Sequence, residues 1–300
     1  MEDRQEFRSG FVAIIGRPNV GKSTLLNALV GQKVAIVSDK VQTTRHRIRG
    51  VLHREDAQVV FVDTPGIHRP RHLLGTYLVE AALAVLREVD IILWVIEPEE
   101  AGPGDDFILR QLQDVNRPVM LVINKIDKVA RPELLPLIDH WRKKFAFAEI
   151  VPVSARTEEN LDRLVNVLVT YLPPGPPYYP VDVLSDQPEQ LLLAELVREK
   201  VLHLTTQEVP HSVAVVVDEV TRRPSGVTYI RATIFTEKES QKAILIGQDG
   251  RMLKQIGRLA RAEIEAVLAT RVYLDLWVKV RPKWRQDEAR LRQFGLHPGT

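Results

Sequence analysis

Gly16-Arg17-Pro18-Asn19-Val20-Gly21-Lys22-Ser23 is the stretch that decides the fold of the first half of the chain. It has the form G-x-x-x-x-G-K-[ST], with an apolar run before it (Phe11–Ile15) and a helix-length segment opening at its lysine (Lys22–Val30). That strand–loop–helix context is what a phosphate-cradling loop requires. Glycines at 16 and 21 let the main chain wrap closely, so that successive N–H groups and the start of the helix face one anion. Lys22 brings a compact positive charge to the β- and γ-phosphates, the Ser23 hydroxyl is a ligand for Mg²⁺, and Thr24 completes the binding stretch. From average residue usage, a chance match in a chain of this length has odds of roughly one in a hundred, so a plain strand–turn–helix is set aside.

Outward from this loop, residues 11–172 alternate short apolar runs with amphipathic segments. Strands are predicted at Phe11–Ile15, Arg47–His53, Gln58–Asp63, Ile91–Ile96, Val119–Asn124 and Ile150–Val153, and helices at Lys22–Val30, Leu73–Arg87, Phe107–Asp114, Glu133–Phe145 and Glu159–Tyr171. The spacing predicts an α/β domain with a mostly parallel sheet and helices on both faces. Arg47–His53 and Gln58–Asp63 are joined by Arg54–Ala57 alone, too short for a crossover, so this pair is expected to be an antiparallel hairpin.

Three further loops follow predicted strands in order: Asp63-Thr64-Pro65-Gly66, Asn124-Lys125-Ile126-Asp127 and Ser154-Ala155-Arg156. Each sits at the carboxyl end of a strand, where open α/β sheets bind ligands. Asp63 is placed to hold Mg²⁺ through water, and the Gly66 N–H to approach a γ-phosphate. A carboxylate at 127 in the plane of a base accepts from N1–H and the 2-amino group of guanine. Adenine offers neither donor and would leave the carboxylate unpaired, a large penalty. The Lys125 stem covers the base, and the Ala155 N–H is expected to face guanine O6.

With these loops, residues 11–172 resemble a translation-factor-type small GTPase domain, a P-loop GTPase. The resemblance implies a switch I threonine on Mg²⁺; in Gln42-Thr43-Thr44-Arg45-His46 the choice is Thr44, with Thr43 second. Lys22, Thr44, Asp63 and Gly66 are the residues expected to carry catalysis. Ile67 stands where signalling GTPases place a water-orienting glutamine and cannot polarise water. Slow intrinsic turnover follows, with the water oriented by backbone groups or a partner. Asn19 matches an asparagine that binds K⁺ in some relatives, and a loop-shaping role fits it equally. His68 and His72 are read as solvated.

Residues 173–180, PPGPPYYP, cannot continue a helix and read as a stiff spacer; domains are therefore expected at 1–175 and 176–300. The second is expected to be α+β: a helix at Glu189–Leu204, strands at Ser212–Val220 and Val227–Thr236, helices at Ser240–Ile246 and Met252–Leu268, a strand at Arg271–Val280, and a loose tail at Gln293–Thr300. Between its last two helices stands Gly247-Gln248-Asp249-Gly250. A G-x-x-G turn between helices is how KH domains clamp about four nucleotides of single-stranded RNA, although such a turn also serves as a plain helix cap. Lys242, Arg251, Lys254, Arg258 and Arg261 flank it, Ile244, Leu245 and Ile246 lead into it as a candidate apolar groove, and Lys279, Arg281, Lys283 and Arg285 extend the positive charge. Asp249 sits poorly with phosphate. Trp277 alternates with Val278 and Val280 and is expected in the core, which leaves Trp284 as the candidate for stacking.

Charge agrees with this division. Residues 1–179 are net zero, 180–237 net −4 and 238–292 net +6, the asymmetry of a polyanion-binding end. Among 300 residues, 45% hydrophobic and 27% charged, there is no cysteine, which excludes disulfides and thiolate sites. No run of 18 apolar residues is present, and Met1–Arg8 lacks the apolar core of a signal peptide, so a cytoplasmic setting is expected.

The order helix–strand–strand–helix–helix–strand resembles a type II KH domain. GTPase domain, proline-rich junction and KH domain together resemble the bacterial Era-type GTPases, most specifically at residues 16–27, 42–47 and 246–250. The resemblance implies GTP/GDP and Mg²⁺ as ligands, binding near the 3′ end of small-subunit (16S) ribosomal RNA, a role in 30S maturation, and peripheral contact with the inner face of the cell membrane in some members. The chain is taken as a monomer. A competing reading keeps the GTPase but gives the basic module a protein or an anionic membrane surface as partner, and a third keeps nucleotide binding without hydrolysis.

Overall fold

A computed structural model describes residues 6–40, 42–70 and 72–296. Its contacts divide the chain into two compact units, one of residues 1–35, 44–71 and 75–186, the other of 36–43, 72–74 and 187–300.

The first unit holds six strands, β1 (Arg8–Ile15), β2 (Ile48–His53), β3 (Ala57–Asp63), β4 (Ile91–Ile96), β5 (Val119–Ile123) and β6 (Glu149–Pro152). The helices are α1 (Lys22–Val30), α2 (Leu73–Val85), α3 (Pro103–Leu112), α4 (Arg131–Arg142) and α5 (Leu161–Tyr171). Sheet order is β2-β3-β1-β4-β5-β6, parallel throughout except for the antiparallel β2–β3 hairpin. Every residue of β3, β4 and β5 is buried, because helices cover both faces and the inner strands need apolar side chains on each. One core packs Leu25, Leu29, Leu164 and Leu168 on one face; the other packs Trp94, Ile108, Leu112 and Trp141 on the opposite face. Phosphate loop, Asp63 loop, Asn124 loop and Ser154 loop leave the carboxyl ends of β1, β3, β5 and β6.

The proline-rich segment read as a spacer belongs to this unit, which continues to Asp186, past the expected boundary at 175. Ser9 N–H donates to Pro173 O (3.1 Å) and Gly175 N–H to Phe7 O (3.0 Å). The Gln58 carboxamide accepts from Tyr178 N (2.6 Å) and donates to Tyr179 O (2.8 Å). Prolines cannot donate to a ladder, but their carbonyls accept and the glycine and tyrosine amides between them donate, so the segment lies as a strap across the amino ends of the inner strands β1 and β3.

The second unit contains α6 (Glu189–Leu204), a single turn α7 (Val209–Ser212), β7 (Ala214–Arg222), β8 (Val227–Thr236), α8 (Glu239–Ile246), α9 (Arg251–Leu268), β9 (Arg271–Val280) and α10 (Glu288–Gln293). Its sheet runs β7-β8-β9, with β7–β8 antiparallel and β8–β9 parallel. The short helices α7 and α10 were not predicted. The tail expected from Gln293 starts inside α10, with Phe294 and Leu296 buried; from His297 on, that expectation lies outside the described residues, as do Met1–Gln5.

Candidate nucleotide site and nucleic-acid interface

Gly16 and Gly21 adopt φ of +151° and +96°, conformations that side chains strain to reach. A Cβ on Gly16 would also stand 2.3 Å from the Val95 carbonyl, and one on Gly21 2.3 Å from the Asn124 amide nitrogen. Gly21 caps α1 without any side-chain partner, which leaves the first-turn amides of the helix to an anion. Lys22 Nζ lies inside the loop, donating to Gly16 O (3.2 Å) and Arg17 O (2.9 Å). Burial pulls its pKa down to about 8, and the nearby Asp63 only partly restores it.

Ser23, Thr44 and Asp63 converge. Ser23 Oγ donates to Asp63 Oδ2 at 2.8 Å and lies 2.9 Å from Thr44 Oγ1, which reaches the same Oδ2 at 3.2 Å. All three side chains are buried. Burial pushes the Asp63 pKa up, against Lys22 and the two hydroxyls, and Asp63 Oδ1 is buried without a hydrogen-bond partner. An orphaned carboxylate oxygen beside two hydroxyls is a hard-oxygen donor set that fits Mg²⁺. Thr43 is excluded from this set, since its Oγ1 donates to Lys40 O at 2.6 Å.

Thr64 is buried with its hydroxyl committed to Ile14 O (2.9 Å), so its part is to fix the loop against β1. Pro65 follows it, and Gly66 passes so close to Pro18 that a Cβ would stand 2.9 Å from the Pro18 ring. Ile67 is fully buried, and its N–H donates to Gly16 O (3.1 Å); the residue lacking a water-orienting group is packed into the core.

On the base side, Asp127 is exposed, and its Oδ1 accepts from Ser154 Oγ at 2.6 Å. The aliphatic part of Lys125 is partly buried, and its ammonium binds Asn19 O (2.6 Å) and pairs with Glu97. The expectation for Ala155 needs correction: its N–H donates to Asn124 Oδ1 (3.0 Å), while Asn124 Nδ2 donates to Val20 O (2.9 Å). The Asn124 carboxamide is thus a strap between two loops rather than a bystander. The Arg17 side chain is also corrected. It pairs with Glu99 and with the buried Asp105 (3.2 Å) on α3, so that only its backbone belongs to the phosphate loop. Arg156 is exposed and Val20 buried, the latter anchoring the loop in the core. Asn19 is exposed in the left-handed region (φ +67°). Sequence reasoning missed Glu97, Glu99, Asp105 and Asn27; the last holds Val34 N, Ala35 N and Ala35 O and so fixes the start of switch I.

In the second unit the G-x-x-G turn is a tight left-handed passage, with Gly247, Asp249 and Gly250 at φ +70°, +51° and +73°. A Cβ on Gly247 would meet the Met252 amide nitrogen at 3.0 Å. Gln248 and Asp249 project into solvent, and Asp249 pairs with Arg251 (3.5 Å). Beside the turn a groove of about 430 Å³ runs between α9 and β9, lined by Gly250, Leu253, Lys254, Arg258, Arg261 and Tyr273 among others. Of the expected residues Gly250, Lys254, Arg258 and Arg261 line it; Lys242, Ile244, Ile246, Gly247, Gln248, Asp249, Arg251, Arg281 and Lys283 do not. Ile244 is exposed, but Leu245 is buried in the core and is withdrawn from the apolar groove, whose floor is supplied by Leu253, Leu274 and Leu276. Arg281 rides over the Phe235 ring (5.7 Å), and Arg285 is tied to Glu237 (2.6 Å), so Arg285 leaves the positive surface.

The two tryptophans exchange roles. Trp284 is 0% exposed, its Nε1 donating to Ser212 O at 2.9 Å, whereas Trp277 is 53% exposed. Alternation along β9 placed Trp277 with the wrong neighbours: residues 272, 274, 276 and 278 face the helices, and 277 faces out.

A phosphate loop, a magnesium-type oxygen cluster and the Asp127 carboxylate at the carboxyl ends of one sheet, followed by a three-stranded sheet with a G-x-x-G turn, define a GTPase domain followed by a KH module. Residues 11–125 match the family model described as 50S ribosome-binding GTPase, and 208–285 the KH domain model. GTPase Era of Heliobacterium modesticaldum is 53% identical over 97% of this chain and 98% of its own length. A crystal structure of an Aquifex aeolicus Era variant bound to GDP and AlF4⁻ is 46% identical, with a TM-score of 0.95 over 97% of this chain and 100% of that one. Equally similar is Era in complex with MgGDPNP and nucleotides 1506–1542 of 16S ribosomal RNA, with a TM-score of 0.95, 46% identity, and 97% and 99% coverage. The chain belongs to the Era GTPase family.

Proposed function

We propose that this chain is a GTP-hydrolysing switch that binds single-stranded 16S ribosomal RNA near its 3′ end and assists 30S subunit maturation in the cytoplasm. The observation that carries this reading is the buried convergence of Ser23, Thr44 and Asp63 beside Lys22. These groups supply the oxygen donors for Mg²⁺ that nucleotide hydrolysis in a phosphate-loop fold requires. The relatives' complexes with GDP–AlF4⁻ and with MgGDPNP and RNA support the same reading.

Gly16 to Thr24 wrap the phosphates with main-chain amides, and Lys22 leaves its carbonyl partners for the β- and γ-oxygens. Ser23 and Thr44, with Asp63 acting through water, would hold Mg²⁺, which would supply positive charge to offset that of the phosphates. Asp63, Thr64, Pro65 and Gly66 bring a main-chain N–H toward the γ-phosphate along a path that only glycine leaves open past Pro18. Asp127, oriented by the Ser154 hydroxyl on Oδ1, presents its carboxylate to the N1–H and 2-amino donors of the base; Lys125 lies over its face, and Asn124 holds the Ser154-Ala155-Arg156 loop to the phosphate loop. With Ile67 buried, no side chain at that position orients water, so intrinsic turnover is slow. Asn19 offers an exposed amide for K⁺. On the second unit, Gly247 to Arg251 with Lys254 and Arg258 receive the RNA backbone, while Lys242, Ile244, Ile246, Arg281 and Lys283 lie outside the groove.

Among the described residues no helix is long and apolar enough to cross a membrane, and no observation favours a membrane surface over RNA. Calorimetric titration with GTP, GDP and ATP in Mg²⁺, followed by GTP turnover with and without 16S-derived RNA and K⁺, tests the reading. Guanine selectivity with slow turnover is expected; ATP competing equally with GTP refutes it.

A further inference from the structure

The solvent face of the second unit's sheet carries an unusual group of rings. Tyr273 and Trp277 on β9 are 58% and 53% exposed, in a sheet whose other face is packed by α6, α8 and α9. Parallel register sets Tyr273 beside Tyr229 of β8, with ring centroids 5.9 Å apart and planes within 16°. The Arg223 guanidinium lies 4.7 Å from the Tyr229 centroid. Asp275, between the two rings on β9, accepts from Tyr229 Oη (3.0 Å) and from Trp277 Nε1 (3.1 Å). One carboxylate therefore holds both side chains in place, so little rotamer freedom is left to lose when something stacks on them. Among the described residues Tyr229 and Tyr273 touch each other and Arg223, and none of the three rings belongs to the core packed by α6, α8 and α9.

We propose that this face is a second stretch of the RNA path, where unpaired nucleotides flanking those in the α9–β9 groove stack on Trp277, Tyr229 and Tyr273. It rests on the groove binding RNA. Three observations select RNA as the occupant. Tyr273 lines the groove and also belongs to the ring cluster, and β9 is the edge strand, so a strand leaving the groove crosses a single β-strand to reach the rings. A groove of this class takes about four nucleotides, so a longer RNA must run past one of its ends. Tyr273 and Trp277 stand open to solvent, and the Arg223 guanidinium lies over the Tyr229 and Tyr273 rings, a mixture of ring faces and positive charge that suits bases and phosphates. The carboxylates here are engaged: Glu219 pairs with Arg231 (3.0 Å), Asp218 accepts from Thr233 (2.6 Å), and Asp275 holds the rings.

Fluorescence anisotropy on the full chain, with MgGDPNP and an RNA spanning 16S nucleotides 1506–1542, tests this against salt concentration. Trp277→Ala and Tyr229→Ala are each expected to weaken binding about tenfold, the scale of one lost base stack, without changing the slope of log affinity against log salt. Trp277→Phe should recover most of the loss, which a disturbed fold would not. Lys254→Glu with Arg258→Glu should instead weaken binding and flatten the salt slope. If the alanine variants match the wild type while the glutamate variant fails, the groove stands and the stacking face is refuted, leaving it to a protein partner. If the wild type itself does not bind this RNA, the groove reading falls and this inference with it.

Discussion

Asn124 is the residue whose removal most sharply separates a ligand contact from a structural strap. Its carboxamide donates to Val20 O and accepts from Ala155 N–H, at 2.9 and 3.0 Å, and both partners are buried. Asn124→Ala leaves one carbonyl and one amide without a partner in a place water does not reach. Each such group costs about 1–3 kcal/mol, so the first unit should lose about 2–6 kcal/mol before any nucleotide is added. For a unit of this size, about 3 kcal/mol corresponds to a melting point lower by roughly 6–12 °C. The assay is thermal unfolding of nucleotide-free protein followed by tryptophan fluorescence, since Trp94 and Trp141 are both buried in this unit and report its core. Asn124→Asp should be no better: its carboxylate still accepts from Ala155 but faces the Val20 carbonyl without a proton to offer. A nucleotide-free Asn124→Ala protein melting within about 2 °C of wild type, with only GDP affinity reduced, would refute the strap.

Thr44→Val should raise the Mg²⁺ concentration needed for GTP turnover at least tenfold while Thr43→Val leaves it near wild type, read from Mg²⁺ titrations; equal effects would contradict the convergence of Thr44, Ser23 and Asp63. Chelating Mg²⁺ should abolish turnover and weaken GTP binding more than GDP binding, measured by calorimetry. Gly247→Ala must hold φ near +70° and displace the Met252 amide, so about 1–3 kcal/mol of stability in the second unit and the RNA affinity should fall together in urea melts and filter binding. Trp284→Ala should cost about 3–5 kcal/mol as a buried large-to-small change, whereas Trp277→Ala should stay within about 0.5 kcal/mol in stability; urea denaturation distinguishes them, and the reverse order would mean that the core has been misplaced.

Much of this molecule is legible in one dimension. α1, α6, β4, β8 and β9 begin and end where apolar periodicity and flanking glycines, prolines and polar residues place them. The nucleotide loops are legible for a different reason: contact with a phosphate or a base in the ring plane tolerates few residue types, so chemistry is written as short fixed strings. Local strings did not reveal the partners of those residues. Arg17 stands inside the phosphate loop, yet Glu99 and Asp105, more than eighty residues away, claim its charge. Nothing in the short strings at 124–127 and 154–156 shows that the Ala155 N–H, expected on the base, binds Asn124 instead.

The sequence by itself determined the long elements, though not the short α7 and α10, and which ligand the first unit takes, since backbone periodicity and ligand chemistry are local. Tertiary structure alone showed that Thr44 Oγ1 meets Asp63 while Thr43 turns to Lys40, drew the proline-rich segment across the amino ends of β1 and β3, and exchanged the roles of Trp277 and Trp284. Alternation on a strand records that two faces differ, but which one is covered depends on where α6, α8 and α9 pack, a long-range outcome of core formation that no window of ten residues contains.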